Sequence, residues 1–286
     1  MAWTTLAVLD WTTQRFTEAG IASPRLEAQL LLAHVLQCSR VQLYTAFDKP
    51  LGDDELAGYR ALIKRRLAGE PVAYLLGEQE LWGLPFYVDA SVLVPRPDTE
   101  TLIEAARALV DKTAALRVLD LCTGSGAIAI CLAKELPNAR VVATEVSPDA
   151  AAIAKRNAER NAVADRVEIR TGDLFAPVAG ESRFDLIVSN PPYIASAVID
   201  TLSAEVRREP RIALDGGPDG LAFYDRICRA APEHLVAGGA LVVEHGFDQA
   251  EAVRQRFEQA GFTQIALVHD LGKNPRITHG VWPGHA

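Results

Sequence analysis

The sequence predicts an α/β protein: a largely parallel sheet with helices on both faces, closed by a C-terminal antiparallel pair and preceded by a small helical domain. Three observations carry this expectation. From Arg117 onward, short apolar runs alternate with longer amphipathic ones, the pattern of strand–helix–strand units. Before Gln79 the apolar residues recur at helical spacing instead. Between the two, the pattern turns strand-like around Gly83-Leu84-Pro85. The expected units are therefore a helical bundle over 1–78, a β-hairpin linker over 79–94 and the α/β domain over 95–286.

In the first unit, Thr4 to Ala19 places Leu6, Leu9 and Phe16 at roughly helical spacing and stops near Gly20. Ser23-Pro24 marks a second helix start, a hydroxyl cap followed by proline at the first helical position. That helix is expected to bury Leu26, Leu30, Ala33 and Leu36. Asp53 or Asp54 caps a third, running to about Ala68 with Leu56, Tyr59, Ile63 and Leu67 on one face. Lys64, Arg65 and Arg66 lie near its C-terminal end, where cations suit the helix dipole, and read as a solvated helix end.

Leu81, Phe86, Val88, Val92 and Val94 mark the hairpin linking the two domains. It leads into Pro95-Arg96-Pro97-Asp98-Thr99-Glu100, where Asp98 or Thr99 can cap the helix carrying Leu102, Ala106, Leu109 and Val110. The residues alone leave two readings open for this loop: a plain helix start, or a rigid lid with Arg96 and Asp98 facing a site. Strands are expected at Arg117–Leu121, Arg140–Glu145, Val167–Thr171, Phe184–Ser189 and Ala240–Glu244, with Gly238-Gly239 as a turn before the last. Helices are expected at Ala127–Leu136, Pro148–Asn161, Leu221–Leu235 and Gln249–Ala260. Ile265–His269 and Arg276–Trp282 form the closing antiparallel pair. The stretch Ala195–Pro218 exceeds an ordinary connection, which marks it as a candidate functional segment.

Composition bounds the function. The 286 residues, 49% hydrophobic and 23% charged, suit a soluble globular protein with a sizeable core. A net charge of -8 argues against a nucleic-acid backbone as the main partner, since that binding relies on clustered Lys and Arg. Cys38, Cys122, Cys131 and Cys228 form no Cys-x-x-Cys pair, have no His partners at zinc spacing and read as reduced, mostly buried thiols. With no secretory leader and no run of membrane-spanning length, a cytoplasmic protein is expected. So is a monomer that uses no metal.

Two stretches carry the chemistry. The first is Asn190-Pro191-Pro192-Tyr193, directly after the Phe184–Ser189 strand. Two prolines remove two backbone donors and hold the chain in a stiff corner. Such a corner offers carbonyl oxygens, a planar amide and a ring, a set able to hold a flat polar nitrogen group.

The second stretch is Asp120 to Ala129, where a strand enters the turn Cys122-Thr123-Gly124-Ser125-Gly126 and the turn opens a helix. Glycines allow close backbone approach, and free N–H groups at a helix start can face a ligand. Glu145 ends the next strand, 19 residues after Gly126, where ribose hydroxyls would lie. Gly124-x-Gly126-x-x-Ala129 also fits a dinucleotide fingerprint. Two features favour S-adenosylmethionine instead: Asp120 would repel a pyrophosphate but suits an ammonium group, and Asn190 would face a small ligand held beyond the first strand.

Together with Gly172-Asp173 after the third strand, these motifs resemble a class I S-adenosylmethionine-dependent methyltransferase acting on a planar nitrogen. The Pro95–Glu100 loop, the Trp82-Gly83 hairpin, Glu209-Pro210, Ala213-Leu214 and Gly216-Gly217, with the helical bundle, narrow it. They are similar to the HemK/PrmC family of peptide chain release factor glutamine methyltransferases, over nearly the whole chain. The resemblance implies a Rossmann-like fold. It also implies methyl transfer to the side-chain nitrogen of the glutamine in the Gly-Gly-Gln motif of class 1 release factors, with the bundle and hairpin gripping that protein. Carried over, Cys122, Thr123, Gly124, Ser125 and Gly126 form the cofactor loop with Asp120, Glu145 binds the ribose, and Asp173 and Leu174 flank the adenine. Asn190, Pro191, Pro192 and Tyr193 hold the glutamine amide, and Arg96 joins the substrate side. Two departures stand out. Cys122 replaces a common glycine, which is tolerable if its φ stays negative. Leu174 replaces an aromatic of some relatives and offers packing without ring stacking.

An amide nitrogen shares its lone pair with the carbonyl and is a poor nucleophile. The expected chemistry is therefore orientation by Asn190 and the Pro191 carbonyl, with no basic side chain removing a proton first. His245, beside Glu244, reads as a hydrogen-bonded strand-end histidine rather than a general base. Two other classes share part of the pattern. A DNA-adenine or ribosomal-guanine methyltransferase shares the tetrapeptide but calls for a basic surface. A non-catalytic cofactor-binding module has no need of Asn190 to Tyr193.

Overall fold

The structure, a computed structural model, describes residues 3–284 and comprises two compact units. The first holds the chain through Gly77 together with Ser203–Arg208. Its helices are α1 (Thr5–Glu18), α2 (Pro24–Leu36), α3 (Arg40–Thr45), α4 (Asp53–Leu67) and α5 (Val72–Leu76). Thr4 caps α1 by accepting the Ala7 N–H. Ser23 makes no such bond, so Pro24, with φ already set for a helix, marks the start of α2. At α4 the cap position belongs to Gly52, while Asp53 and Asp54 sit inside the first turn beside the positive helix end.

The core of this unit is Val8, Leu9, Phe16, Ala28, Leu31, Leu32, Tyr59 and Ile63. Leu6, Leu26 and Leu67 point to solvent, contrary to the helical spacing. The apolar run Leu30–Ala33 covers every side of α2, so periodicity does not choose its inner face. Arg66 also departs from the expected solvated triplet. It is buried, with Nε 2.5 Å from Glu27 and Nη2 2.8 Å from Glu205, while Lys64 and Arg65 remain exposed. A guanidinium can be buried when carboxylates neutralise it, and one of these lies 139 residues away in sequence.

The second unit begins with a hairpin, β1 (Glu78–Leu81) and β2 (Leu84–Tyr87). Trp82 and Gly83 both have positive φ, at 55° and 69°, the conformation a two-residue hairpin turn demands. The strands stop at Tyr87; Val88, Val92 and Val94 are buried in irregular chain. Then come α6 (Thr99–Ala108), β3 (Arg117–Leu121), α7 (Ala127–Glu135), β4 (Arg140–Glu145), α8 (Pro148–Arg160), β5 (Val167–Thr171) and β6 (Phe184–Ser189). After them follow α9 (Ala222–His234), β7 (Leu235–Glu244), α10 (Ala250–Gln259), β8 (Thr263–His269) and β9 (Pro275–Val281).

The seven strands lie in the order β5-β4-β3-β6-β7-β9-β8, parallel through β7 and antiparallel at β9 and β8. This is the expected mixed sheet. Both faces are covered, so each central strand feeds two cores. Val118, Leu186, Val188 and Val242 join Leu102, Ile103 and Leu132 on one side. Leu119, Ile187, Leu241 and Val243 join Tyr224, Ile227 and Phe257 on the other. That explains why the strands read as continuous apolar runs rather than alternating ones. β7 starts earlier than expected, because Gly238-Gly239 forms a bulge inside it: the register jumps from Phe184↔Leu235 to Leu186↔Ala240.

One buried amide ties this unit together. Asn157 on α8 accepts the Tyr87 N–H (2.7 Å) and donates to the Tyr87 carbonyl (3.0 Å) and the Ser125 carbonyl (2.8 Å). One turn on, Asn161 donates to the Pro85 carbonyl. The end of β2 and the turn before α7 thus share one clamp. Asn157→Ala would strand three backbone groups with little water to replace their partner, at about 3 kcal/mol. Chemical denaturation of the full chain tests this, and an unchanged midpoint would remove the clamp from the account.

Candidate active site

The site forms where parallel strands end at one level. Leu121 lies opposite both Thr144 and Ser189, so Cys122, Glu145 and Asn190 emerge side by side. Each strand end contributes differently. After β3 the chain makes the turn Cys122–Gly126, pinned by the Thr123 N–H donating to the Thr144 carbonyl at 3.1 Å. Gly126 has φ 82°, and a Cβ there would meet Ala154 at 3.1 Å and Ile130 at 3.2 Å, so only glycine lets α7 start this close to α8.

Cys122 has φ 59°, opposite to the negative value expected. A side chain in this left-handed region carries backbone strain of about 1 kcal/mol or more, tolerated because the loop is held on both sides. Its thiol lies over the Tyr224 core, and burial together with Glu145 and Asp120 pushes its pKa above the ordinary thiol value. It is therefore a packed thiol and not a poised nucleophile.

Glu145 is held by two backbone donors: Gly124 N–H to Oε2 and Ser147 N–H to Oε1, both at 2.9 Å. Each carboxylate oxygen keeps a second lone pair for a hydroxyl. Asp120 does not line the cavity and cannot meet an ammonium group there. It is fully buried beneath the turn, where Oδ2 accepts from the Thr123 hydroxyl (2.5 Å) and the Ala129 N–H (3.2 Å). Burial pushes its pKa up to about 7, against the pull of those two bonds.

One cavity is lined by Cys122, Thr123, Gly124, Ser125, Glu145, Asp173 and Leu174 together with Asn190, Pro192 and Arg96. Gly126, Pro191 and Tyr193 are not on its wall. Pro191 is buried, and the Tyr193 ring packs against the second core, which leaves it unable to cover a ligand's face in this conformation. Burial pushes the Tyr193 hydroxyl up to about 12, and its carbonyl accepts from Gln249 Nε2 at 2.9 Å.

The Pro95–Glu100 loop does form a wall, but its charges are engaged. Arg96 pairs with buried Glu209 at 2.6 Å, and Asp98 pairs with Arg276 at 3.0 Å instead of capping α6. Asp173 is paired with Arg226 on α9. His245 is buried away from the cavity, with Nδ1 on the Gly246 carbonyl and Nε2 on the Thr278 hydroxyl, both at 2.9 Å.

The structure also brings to the site residues to which the sequence assigned no site role. Thr99 accepts from Asn190 Nδ2 at 3.3 Å. Phe223 on α9 faces the cavity and supplies a ring that Leu174 does not. Ile212 and Ala213 reach the wall through a short 3₁₀ turn, Arg211–Ala213, in the long segment after Tyr193. The sequence signals for that segment were its length and the Ala213-Leu214 match to the family, neither of which singles out Ile212.

The cavity wall is chemically one-sided. Of the charged groups that line it, Asp173 is paired with Arg226 and Arg96 with Glu209, which leaves the Glu145 carboxylate beside the glycine turn without a countercharge. A pyrophosphate would meet like charge, whereas a ribose and a cationic sulfonium or ammonium group would not. Among the described residues no group of His, Cys, Asp and Glu could hold a metal ion, and no helix is long and apolar enough to cross a membrane.

Comparison with known proteins finds relatives of the chain in sequence and in fold. The family models described as the PrmC N-terminal domain and the methyltransferase small domain match residues 7–77 and 98–209. The release factor glutamine methyltransferase of Geobacter sulfurreducens is 50% identical over 279 residues, covering 97% of this chain and 96% of its own. That of Aliivibrio fischeri is 41% identical, covering 96% of each. A methyltransferase from Pyrococcus furiosus shares the fold at 21% identity, with a TM-score of 0.54 over 80% of this chain and all of its own.

Asp120 yields a signed expectation. Its folded carboxyl keeps its proton up to about pH 7, whereas an unfolded aspartate loses it near pH 4. Between those values the native state binds more protons, so this group's contribution to stability falls as pH rises. Asp120→Asn does not titrate. Its stability relative to the parent should therefore grow by about 2–4 kcal/mol from pH 5 to pH 8. Melting curves at both pH values check this; a pH-independent difference would contradict it.

Proposed function

We infer the activity from one premise: the chain belongs to the family of release factor glutamine methyltransferases. It is an enzyme that transfers a methyl group to the side-chain amide nitrogen, N5, of the glutamine in the Gly-Gly-Gln motif of class 1 peptide chain release factors. The observation that carries this reading is a single cavity lined both by Asn190 and Pro192 and by the Cys122–Ser125 turn and Glu145. A donor and a planar amide can meet there.

The donor we assign is S-adenosylmethionine, which supplies a methyl group on a positively charged sulfur. Glu145 would accept the ribose hydroxyls with its free lone pairs, and the Thr123–Ser125 backbone would lie along the nucleoside. Leu174 and Phe223 supply apolar cover at the Asp173 side. On the substrate side, Asn190, which lines the cavity, would accept an amide hydrogen of the glutamine through Oδ1, whereas the Pro191 carbonyl, buried off the cavity wall, is not placed to take the second. The Asn190 bond turns the nitrogen lone pair towards the donor and supports the positive charge that builds on its hydrogens. The nitrogen gains one methyl group and loses one proton. Since release factors act on ribosomes, we place the reaction in the cytoplasm.

Mass spectrometry of a class 1 release factor after incubation with enzyme and S-adenosylmethionine should find one methyl group on the Gly-Gly-Gln glutamine. Methylation of DNA or ribosomal RNA with none on the release factor would overturn the reading. In the same assay Asn190→Ala should lower turnover by roughly two orders of magnitude, the cost of one lost transition-state partner, with much less effect on cofactor affinity.

The helical unit is proposed as a grip on the release factor. Val41, Tyr44 and Phe47 are exposed on or beside α3, at 71%, 60% and 53%. Apolar and aromatic side chains set in a polar surface suit a protein partner. Replacing all three by serine should lower kcat/KM for intact release factor by about tenfold and leave a short Gly-Gly-Gln peptide unaffected. Equal effects on both substrates would make the unit a scaffold only.

A further inference from the structure

Glu244 is the last residue of β7 and is 2% exposed. β6 and β7 run parallel with Ser189 opposite Val243, so the next pair along the strands is Asn190 and Glu244. The Thr99 hydroxyl and the Asn190 amide both face the Glu244 carboxyl, and Asn190 Nδ2 donates to that same hydroxyl at 3.3 Å. Oε2 of Glu244 has no hydrogen-bond partner among the described residues. A buried carboxyl with an unmatched oxygen is costly, and the nearby cation does not remove the cost: Arg276 is shared with Asp98 at 3.0 Å and Asp270 at 3.1 Å. The other ionisable groups facing it are Tyr193 and Tyr224, the latter donating to the Glu244 backbone carbonyl at 2.8 Å.

We propose that Glu244 is a positioning residue which, with Thr99, holds the Asn190 side chain with its NH2 towards the protein and its Oδ1 towards the substrate amide. This rests on the role proposed above for Asn190. A primary amide has two faces of opposite sense, and a flipped Asn190 would present donors to the donors of the glutamine NH2. An ionised carboxylate only accepts, so it selects the useful orientation. A protonated one donates and can hold the flipped amide equally well. Burial pushes the Glu244 pKa up to about 7, so the selection is complete above that pH and fades as pH falls through it.

The test measures kcat for release factor methylation from about pH 6 to 8.5 for the parent, Glu244→Gln and Thr99→Val, with S-adenosylmethionine affinity measured alongside. The parent's kcat should fall on the acid side with an inflection near neutrality. Glu244→Gln should lower kcat at pH 8 on the order of tenfold, as for other groups that orient an active-site ligand, and abolish that acid limb. Cofactor affinity should stay within about twofold. Thr99→Val, which deletes the shared hydroxyl but keeps the carboxylate, should lower kcat and retain the limb. The proposal is overturned if Glu244→Gln keeps the parent's kcat, or loses activity while the limb persists. Should Glu244→Gln not fold, parental kcat in Thr99→Val overturns it instead. A parent enzyme that does not methylate release factor at all would defeat the functional reading, which these variants do not address.

Discussion

The site depends on strand register. Leu121 sits opposite Thr144 on one side and Ser189 on the other, and Ser189 sits opposite Val243. These pairings bring the glycine turn, Glu145, Asn190 and Glu244 to one edge of the sheet. A slip of one residue in any strand would send its side chains to the opposite face. Register is secured by burial on both faces, because each strand must match Leu102 and Leu132 on one side and Tyr224 and Phe257 on the other. The hydrophobic effect that folds the sheet thereby also aligns the groups proposed to do the chemistry.

Under that edge lie several buried polar groups. Asn157 is fully matched and binds the hairpin and the glycine turn to α8. Asp120 and Glu244 are not: each keeps one oxygen without a partner among the described residues, and burial raises the pKa of both. A fully satisfied network rigidifies a site, whereas a partly satisfied one holds free energy in reserve. The first kind sits behind the backbone turn, where rigidity is needed. The second kind lies beneath the glycine turn and beside Asn190, the two places where ligand groups are proposed to bind.

The helical unit solves a different problem. Its core is small, and it adds a buried ion pair of Arg66 with Glu27 and Glu205. Through Glu205 the segment Ser203–Arg208, which follows the Asn190–Tyr193 corner in the chain, becomes part of this unit. Residues flanking that segment, Glu209 and Ile212, belong to the cavity side, where Glu209 anchors Arg96 and Ile212 lines the wall. The long connection is therefore built of separately anchored short turns, which accounts for a length that a simple link does not need.

By itself the sequence determined the strands, the mixed sheet and the family, because these depend on local quantities: apolar runs, glycine and proline positions, and short motifs. Arg117–Leu121, Arg140–Glu145, Val167–Thr171 and Phe184–Ser189 have the bounds that local pattern predicts. What depended on neighbours distant in sequence was not legible. No local rule turns Leu31 inward and Leu26 outward, buries Arg66 against Glu205, or draws Asp98 away from its helix cap to Arg276. The same holds at the cavity. Cys122 takes a positive φ because the turn is held from both sides, Asp120 lies under the loop rather than beside it, and Tyr193 belongs to the core. Sequence names the residue types that chemistry requires. Only tertiary packing decides which of their atoms face a ligand, since that choice belongs to the competition among all the groups that could fill the same space.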